Sequence, residues 1–321
     1  MKTSTEKTAV QAGPTSSLSG RQSRYVVENA ARMIFTVCGL SAILAVVSIT
    51  CYLVINGLPA IQEVGLLEII AETVWKPTAA EPQYGILYVI LTSVVGTAMA
   101  IVIGVPIGLM TAIFLAEVAN EKLSKIVHPA VELLAGIPSV IYGLLGIKLL
   151  NPLMYELEKL IFADSMTHQW TGGSNLISAV LVLAIMILPT VINISENAIR
   201  TVPKQLKSSS LALGASHIQT IFRVILPAAK PGILTAIVLG VGRAIGEAMA
   251  ITLVSGSSVN LPLPFHSVRF LTTAIVSEMS YSEGTHRKVL FTIGLVLFIF
   301  IMAINLILSR MMKKGAGDDE E

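Results

Sequence analysis

The sequence predicts an all-α, polytopic membrane protein with about six spanning helices, on three observations. Of 321 residues, 54% are hydrophobic and 13% are charged, against roughly 25% charged in a soluble domain. Mean hydropathy is +0.77. Apolar windows long enough for a hydrocarbon core about 30 Å thick recur along the chain. The charges between them gather mainly on alternate sides. A formal net charge of +2 says nothing about nucleic acid; where the charges fall is what matters.

The elements follow in order. Residues 1–32 are expected to form a polar cytoplasmic tail, disordered to about Ser23, because Ser, Thr, Lys and Gly there cannot build a core. The apolar stretch Met33 to Ile55 is longer than a signal-peptide core and lacks a small-residue cleavage site, so it reads as a retained span with an external loop to residue 84. Further spans are expected near 85–116, 130–151, 174–195, 232–254 and 289–309. The second is too long for one crossing and should bend past Pro106, ending near Glu117. Gly136-Ile137-Pro138-Ser139 interrupts the third. A carbonyl freed there is tolerable only against protein or a watery cavity, so Pro138 and Ser139 are expected to line a pathway. Residues 311–321 form a second cytoplasmic tail.

Loop charge orients these spans. Lys2, Lys7, Arg21, Arg24 and Arg32 precede the first; Arg200, Lys204, Lys207, Arg223 and Lys230 crowd the loop between the fourth and fifth; Arg310, Lys313 and Lys314 follow the last. All three groups fall on one side, which the positive-inside rule makes cytoplasmic. The first opposite loop holds Glu63, Glu68, Glu72 and Glu81 against Lys76, whereas the last opposite loop dissents with Arg269, Arg287 and Lys288.

Small residues mark where helices approach. Gly96, Ala100, Gly104 and Gly108 recur every four positions, and Gly242 and Gly246 repeat the spacing. Helices in lipid lack a hydrophobic drive to associate, so such ridges are expected to pack them. The basic loop has its own structure. Pro203 can open a helix, Gly214 supplies a turn, and Ile218, Ile221, Phe222 and Ile225 have amphipathic spacing. Leu226-Pro227 should end that helix, with Pro231 starting the next span. Such a knob suits docking of another protein; a helix lying on the membrane surface looks much the same.

Arg243 and Glu247 carry the most information. They sit in the apolar run from Ile233 to Val254, with Arg243 expected roughly 15 Å into the core. A central Arg costs on the order of 3 kcal/mol, so the pair reads as substrate-pathway groups. An internal ion pair clamping two helices is the plainer alternative. Other chemistry lacks support in the residues. Cys38 and Cys51 lie about 20 Å apart on one helix, too far for a disulfide. The five histidines are scattered without metal-ligand spacing. A Gly-x-x-x-x-Gly-Lys-Ser/Thr run is absent from the sequence, so a bound ATP or other cofactor is not expected and neither is enzymatic activity.

Thr201-Val202-Pro203, Leu211-Ala212-Leu213-Gly214-Ala215 and Val224-Ile225-Leu226-Pro227 resemble the cytoplasmic signature loop of ABC-importer permeases. That family's pattern is Glu-Ala-Ala, three residues, Gly, nine residues, Ile-x-Leu-Pro. Ser208, Ser209 and Ser210 stand in place of Glu-Ala-Ala, and Val224 replaces the Ile. The segments from Glu132 to Gly143 and from Gly240 through Arg243 and Glu247 to Ala250 are similar to phosphate-importer membrane subunits, nearer the PstC type than the PstA type. The resemblance covers about Gly85 to Arg310 and implies a type I ABC-importer permease fold, with residues 85–310 as the permease core and 200–227 as the coupling loop. It further implies phosphate transport across the cell membrane, with Arg243 and Glu247 required for passage. The implied partners are a homologous PstA-type permease, a two-copy PstB-type ATP-binding subunit that uses the ATP, and an external PstS-type phosphate-binding protein. Two alternatives stay open: a permease for another oxyanion such as molybdate or sulfate, and a secondary transporter with Glu247 as proton relay.

Overall fold

A computed structural model describes residues 17–317, with side-chain surroundings over 28–310. The parts of the expected tails at 1–16 and 318–321 lie outside the described residues. The chain divides into two compact units, Met1–Tyr52 and Leu53–Glu321. From Ser17 the first is a single helical rod, part of α1 (Ser17–Glu63). Residues 17–23, expected as the end of the disordered stretch, are therefore helical, as is the rest of the expected tail to Arg32: the helix is nucleated by the long apolar stretch and propagates outward one hydrogen bond per residue. Cys38 and Cys51 are free and exposed on it.

The second unit holds the last turns of α1, then α2 (Leu66–Ala71) and a small antiparallel hairpin, β1 (Trp75–Lys76) and β2 (Gln83–Tyr84), with Trp75 opposite Tyr84. Next come α3 (Leu87–Ile113), continued by a π-helical turn at Phe114–Val118, and α4 (Glu121–Gly136). After a break, α5 (Ser139–Leu145) runs through a second π turn into α6 (Asn151–Ile161). The long α7 (Leu176–Thr201) is followed by α8 (Lys204–Ala212) and α9 (His217–Thr220), which passes through a third π turn into α10 (Leu226–Gly246). The chain closes with α11 (Met249–Val254), α12 (Leu271–Glu278) and α13 (Gly284–Gly317). Among the described residues six helical stretches are long and apolar enough to cross a membrane: Glu28–Glu63, Leu87–Val118, Ser139–Ile161, Leu176–Thr201, His217–Gly246 and Gly284–Arg310.

The helix α7 is the axis of the unit, lying against α3 on one flank and α10 on another. Its Leu176, Leu183, Met186 and Ile187 are almost wholly buried. Asn175 caps it, accepting the Ser178 amide at 3.1 Å. The glycine ridge of α3 explains the close approach. A Cβ at Gly104 would stand 2.6 Å from Ile187 Cδ1, one at Gly108 2.9 Å from Val191, and one at Gly96 2.6 Å from the Phe270 ring.

Two expected spans are shifted. The third, expected at 130–151, joins residues of two helices: α4 ends at Gly136, and the spanning stretch starts at Ser139. Pro138 forbids a helical Ile137, which is extended at φ −70°, ψ 127°. The fifth, expected at 232–254, starts at His217 and stops at Gly246. Leu226-Pro227 does not end the preceding helix, because the π turn at Ile221–Ile225 re-registers the hydrogen bonds ahead of the proline. The helix breaks instead at Glu247, extended at φ −73°, ψ 127°.

Two of the three dissenting loop charges are paired. Arg269 lies against Glu278, and Lys288 against Glu63. Glu278, nearly buried, also accepts from Trp75 Nε1 at 3.1 Å and contacts His286 Nε2 at 2.8 Å. One carboxylate thereby joins the hairpin, the loop before α12, α12 itself and the start of α13.

Candidate functional site

Arg243 lies in the last turn of α10, partly buried, rather than in the middle of an unbroken helix. Its Nη1 is 3.5 Å from Thr190 Oγ1 on α7, at the outer limit of a hydrogen bond. Among the described residues the ion pairs do not include Arg243, so its charge is not compensated by a described carboxylate.

Glu247 follows four residues later at the break, with 9% of its surface exposed. Its carboxylate does not pair with Arg243. Oε1 accepts the Ala250 amide at 2.9 Å, and its backbone carbonyl accepts the Thr272 hydroxyl at 2.8 Å. An i, i+4 pair does not form, because the helix ends between the two residues. The broken backbone turns the carboxylate onto the first amides of α11, where the helix dipole favours negative charge.

The two interrupted helices meet. Gly143 on α5 and Gly146 at the start of the π turn after it let α11 close: a Cβ at Gly143 would stand 3.0 Å from the Ala250 carbonyl, and one at Gly146 2.5 Å from Val254. Pro138 opens α5, and its carbonyl accepts the Ile141 amide at 3.0 Å. Ser139 is partly buried one residue on. The Tyr142 hydroxyl donates to the Leu134 carbonyl at 2.6 Å, tying the start of α5 to the end of α4. Arg243, Glu247 and the 138–139 break thus belong to one region, where two discontinuous helices leave polar backbone inside a spanning unit.

Gly242 and Gly246 do not act as the expected packing ridge within this chain. A Cβ at either would meet nothing within 4 Å, and Gly246 is exposed. The face of α10 that carries Arg243 is therefore open. Sequence reasoning missed Thr190, Thr272 and Tyr142. A hydroxyl in an apolar span is the available signal for Thr190, whereas Thr272 and Tyr142 become legible only once the fold brings them in.

The second predicted region is the basic loop. Gly214 makes the turn between α8 and α9 at φ +88°, a left-handed conformation that favours glycine. Ser216 and Gln219 form a capping box at the start of α9. Ser208 Oγ turns back to the Gln205 carbonyl, Ser209 gives its carbonyl to Leu213, and Ser210 Oγ lies 3.0 Å from Thr220 Oγ1, linking α8 to α9. The amphipathic stripe expected of residues 218–225 divides in two. Ile221 and Ile225 are buried, but Ile218 is 68% and Phe222 52% exposed, beside Leu213 at 89%. The stripe divides because Ile221 and Ile225 seat the loop on the spanning helices. The exposed trio forms an apolar surface around the Gly214 turn. Leu226 and Pro227 start α10 beneath it.

Comparisons with known proteins agree with this geometry. A family described as "Binding-protein-dependent transport system inner membrane component" matches residues 104–314. The "Probable ABC transporter permease protein YqgH" of Bacillus subtilis is 39% identical over 302 residues, covering 91% of this chain and 94% of the relative. The "Phosphate transport system permease protein PstC" of Haemophilus influenzae is 36% identical over 251 residues, covering 75% and 79% respectively. Among solved structures, a chain of a bacterial alginate ABC transporter, in complex with alginate pentasaccharide-bound periplasmic protein, superposes with a TM-score of 0.62 at 15% identity, covering 92% of this chain and 97% of that one. That likeness concerns the fold alone, which is that of a type I ABC-importer permease. The chain belongs to the family of binding-protein-dependent transport system inner membrane components.

Proposed function

We propose that the chain is a PstC-type permease subunit of an ATP-driven importer that passes inorganic phosphate across the cytoplasmic membrane. The observation that carries this reading is the unpaired Arg243 guanidinium at a helix break inside the spanning unit. A planar fork of donors fits phosphate oxygens and keeps its charge at any physiological pH. The naming of several relatives as phosphate permeases supports the choice of anion.

Glu247 then has a positioning role. Its carboxylate is engaged by the start of α11, which holds the break open and keeps negative charge off the guanidinium. The loop around Gly214 takes the second role, with the exposed Leu213, Ile218 and Phe222 offered to a separate ATPase of the PstB type that supplies the ATP chemistry. Closure of that ATPase would push the loop and rock α7 and α10. Both termini lie in the cytoplasm on this reading. A homologous PstA-type permease faces the open flank of α10, and an external PstS-type protein delivers phosphate.

Uptake of labelled phosphate by the assembled importer tests the proposal. Uptake should require ATP, resist excess molybdate and sulfate, and stop with Arg243→Ala at normal protein levels. Uptake that survives ATP depletion, or near-normal uptake by Arg243→Ala, overturns it.

A further inference from the structure

Three basic residues, from the end of α7 and from the loop beyond it, meet at the C-terminal end of α3. The Arg243 site does not use this place. The π turn at Phe114–Val118 sends the Ala119 amide to the Phe114 carbonyl at 2.7 Å, one residue past the Leu115 carbonyl that an α-helix would use. Arg200 takes up the Leu115 carbonyl, to which its Nη2 donates at 2.9 Å, while its Nε donates to Glu196 Oε1 at 2.9 Å. From α8, Lys207 Nζ donates to Glu117 Oε2 at 2.5 Å. At the start of α9, His217 Nε2 lies 3.3 Å from the Glu117 carbonyl.

The surroundings give the ion pair a mechanical setting. Among the described residues α8 buries none of its side chains, so it lacks an apolar seat of its own. Between it and the ends of α3 and α7 lies a cavity of about 410 Å³, lined in part by Glu117, Ile199, Arg200, Lys207 and Leu211. A close-packed interface transmits displacement because it resists compression, and a void of that size does not. A push on α8 therefore reaches α3 through whatever bridges the cavity, and the Lys207–Glu117 pair does so. The Glu117 side chain is only 9% exposed. Leaving such a carboxylate unpaired is costly, so it keeps its lysine through a displacement. The same turn is tied to α7 by Arg200, and Leu115 packs in a buried cluster with Val131 and Ile192.

We infer that Glu117 and Lys207 form a strut that carries motion of the 200–227 loop into α3, which makes Glu117 a positioning residue of transport. Its far end reaches the anion group. Gly104 and Gly108 hold α3 against Ile187 and Val191, which flank Thr190, the residue that Arg243 contacts. A shift of α3 thus bears on the stretch of α7 beside the guanidinium. The inference rests on the reading of the loop as the seat of the ATPase.

The test uses the complete importer in proteoliposomes, with phosphate moved per ATP hydrolysed as the readout. Glu117→Ala and Lys207→Ala should still co-purify with the ATPase and respond to the phosphate-loaded external protein with ATP hydrolysis. They should nonetheless move several-fold less phosphate per ATP, and exchange of the charges, Glu117→Lys with Lys207→Glu, should recover most of the ratio. If the pair only stabilises the fold, assembly, hydrolysis and transport fall together at a constant ratio, and that result overturns the inference. A tether supplies a readout that does not depend on the alanine variants. With Cys38 and Cys51 replaced by Ser, Glu117→Cys combined with Lys207→Cys should lose transport and regain it after reaction with a short bifunctional thiol reagent. Linked complexes as slow as unlinked ones overturn the strut. If wild-type uptake requires ATP while both alanine variants keep the wild-type ratio, the strut fails and the reading of the loop stands. If wild-type uptake survives ATP depletion, the reading of the loop fails, and recovery of the transport rate on linking decides the strut by itself.

Discussion

Glu247 Oε1 accepts the Ala250 amide at 2.9 Å, so the carboxylate belongs to the helix that follows it rather than to the arginine that precedes it. On the proposed reading this separates two functions: Arg243 is left free for an anion, and Glu247 fixes the geometry of the break. Glu247→Gln keeps an oxygen acceptor and should lower thermal stability only slightly. Glu247→Ala loses the cap, a change worth about 1 kcal/mol at a helix start, and lets α11 drift from α5. Melting temperatures of the purified complexes check this. Equal losses in the two variants would mean that the charge itself, rather than the hydrogen bond, matters.

Arg243→Lys separates charge from shape. Lysine retains one positive charge but offers a compact ammonium in place of a planar fork. Because the hydrogen bond of the guanidinium among the described residues is a single distant one, to Thr190, the substitution should barely change stability. Phosphate transport by Arg243→Lys should nonetheless fall by about tenfold or more. Wild-type transport by the Lys variant would show that a point charge suffices.

The glycines should sort by what they touch. Gly104→Val drives a side chain into Ile187, and Gly143→Val drives one into the Ala250 backbone. Overpacking of this kind costs about 1–3 kcal/mol, more where backbone must shift, so Gly143→Val should be the worse. Gly242→Ala and Gly246→Ala meet open space in this chain, and slightly raised helix propensity should leave the isolated subunit as stable as before. Thermal unfolding in detergent measures all four.

Much of this was legible in the chain, for identifiable reasons. Apolar windows locate spans because lipid imposes length and composition, and the ridge at Gly96, Gly104 and Gly108 is visible because close approach demands small residues at a fixed period. Hydropathy does not locate a span's end when both flanks are apolar: the sequence marks the interruption at Ile137-Pro138 but keeps it inside the third span, and gives no sign of the break at Glu247-Ala248. Arg243 and Glu247 stand out by composition, but their separation depends on that break, so sequence spacing misleads about pairing. Ile218 and Phe222 fit an amphipathic pattern and yet are exposed, because an apolar stripe looks alike whether it faces its own core or a surface left open. The Glu278 hub gathers residues from 75 to 286, a separation that no local pattern records.

That hub should be a stability determinant on the face opposite the basic loop. Glu278 is 6% exposed and serves Arg269, His286 and Trp75 together. Glu278→Ala leaves three cationic or polar partners without this acceptor, and breaking a buried pair costs about 3–5 kcal/mol. Melting should drop by several degrees, with the hairpin at 75–84 the first segment to lose hydrogen-exchange protection. Unchanged protection there would show that the hairpin is held by its apolar contacts alone.

Coupling should be most sensitive at Gly214 and Leu213. Gly214 has open space around it, so a substitution there meets no clash. Its φ of +88° is what a β-branched residue cannot adopt cheaply, at about 1–2 kcal/mol of strain. Gly214→Val should therefore tilt α8 against α9 and stretch the Ser210–Thr220 contact while leaving the spanning helices intact. Leu213→Asp keeps the turn but puts charge on the exposed apolar surface. Both should assemble in the membrane, bind the external phosphate-loaded protein, and lose most of the ATPase stimulation that loading produces. Leu213→Asp should also weaken co-purification of the ATPase. If Gly214→Val couples normally while Leu213→Asp does not, the apolar surface rather than the turn geometry transmits the stroke; if both couple normally, the ATPase docks elsewhere on the chain.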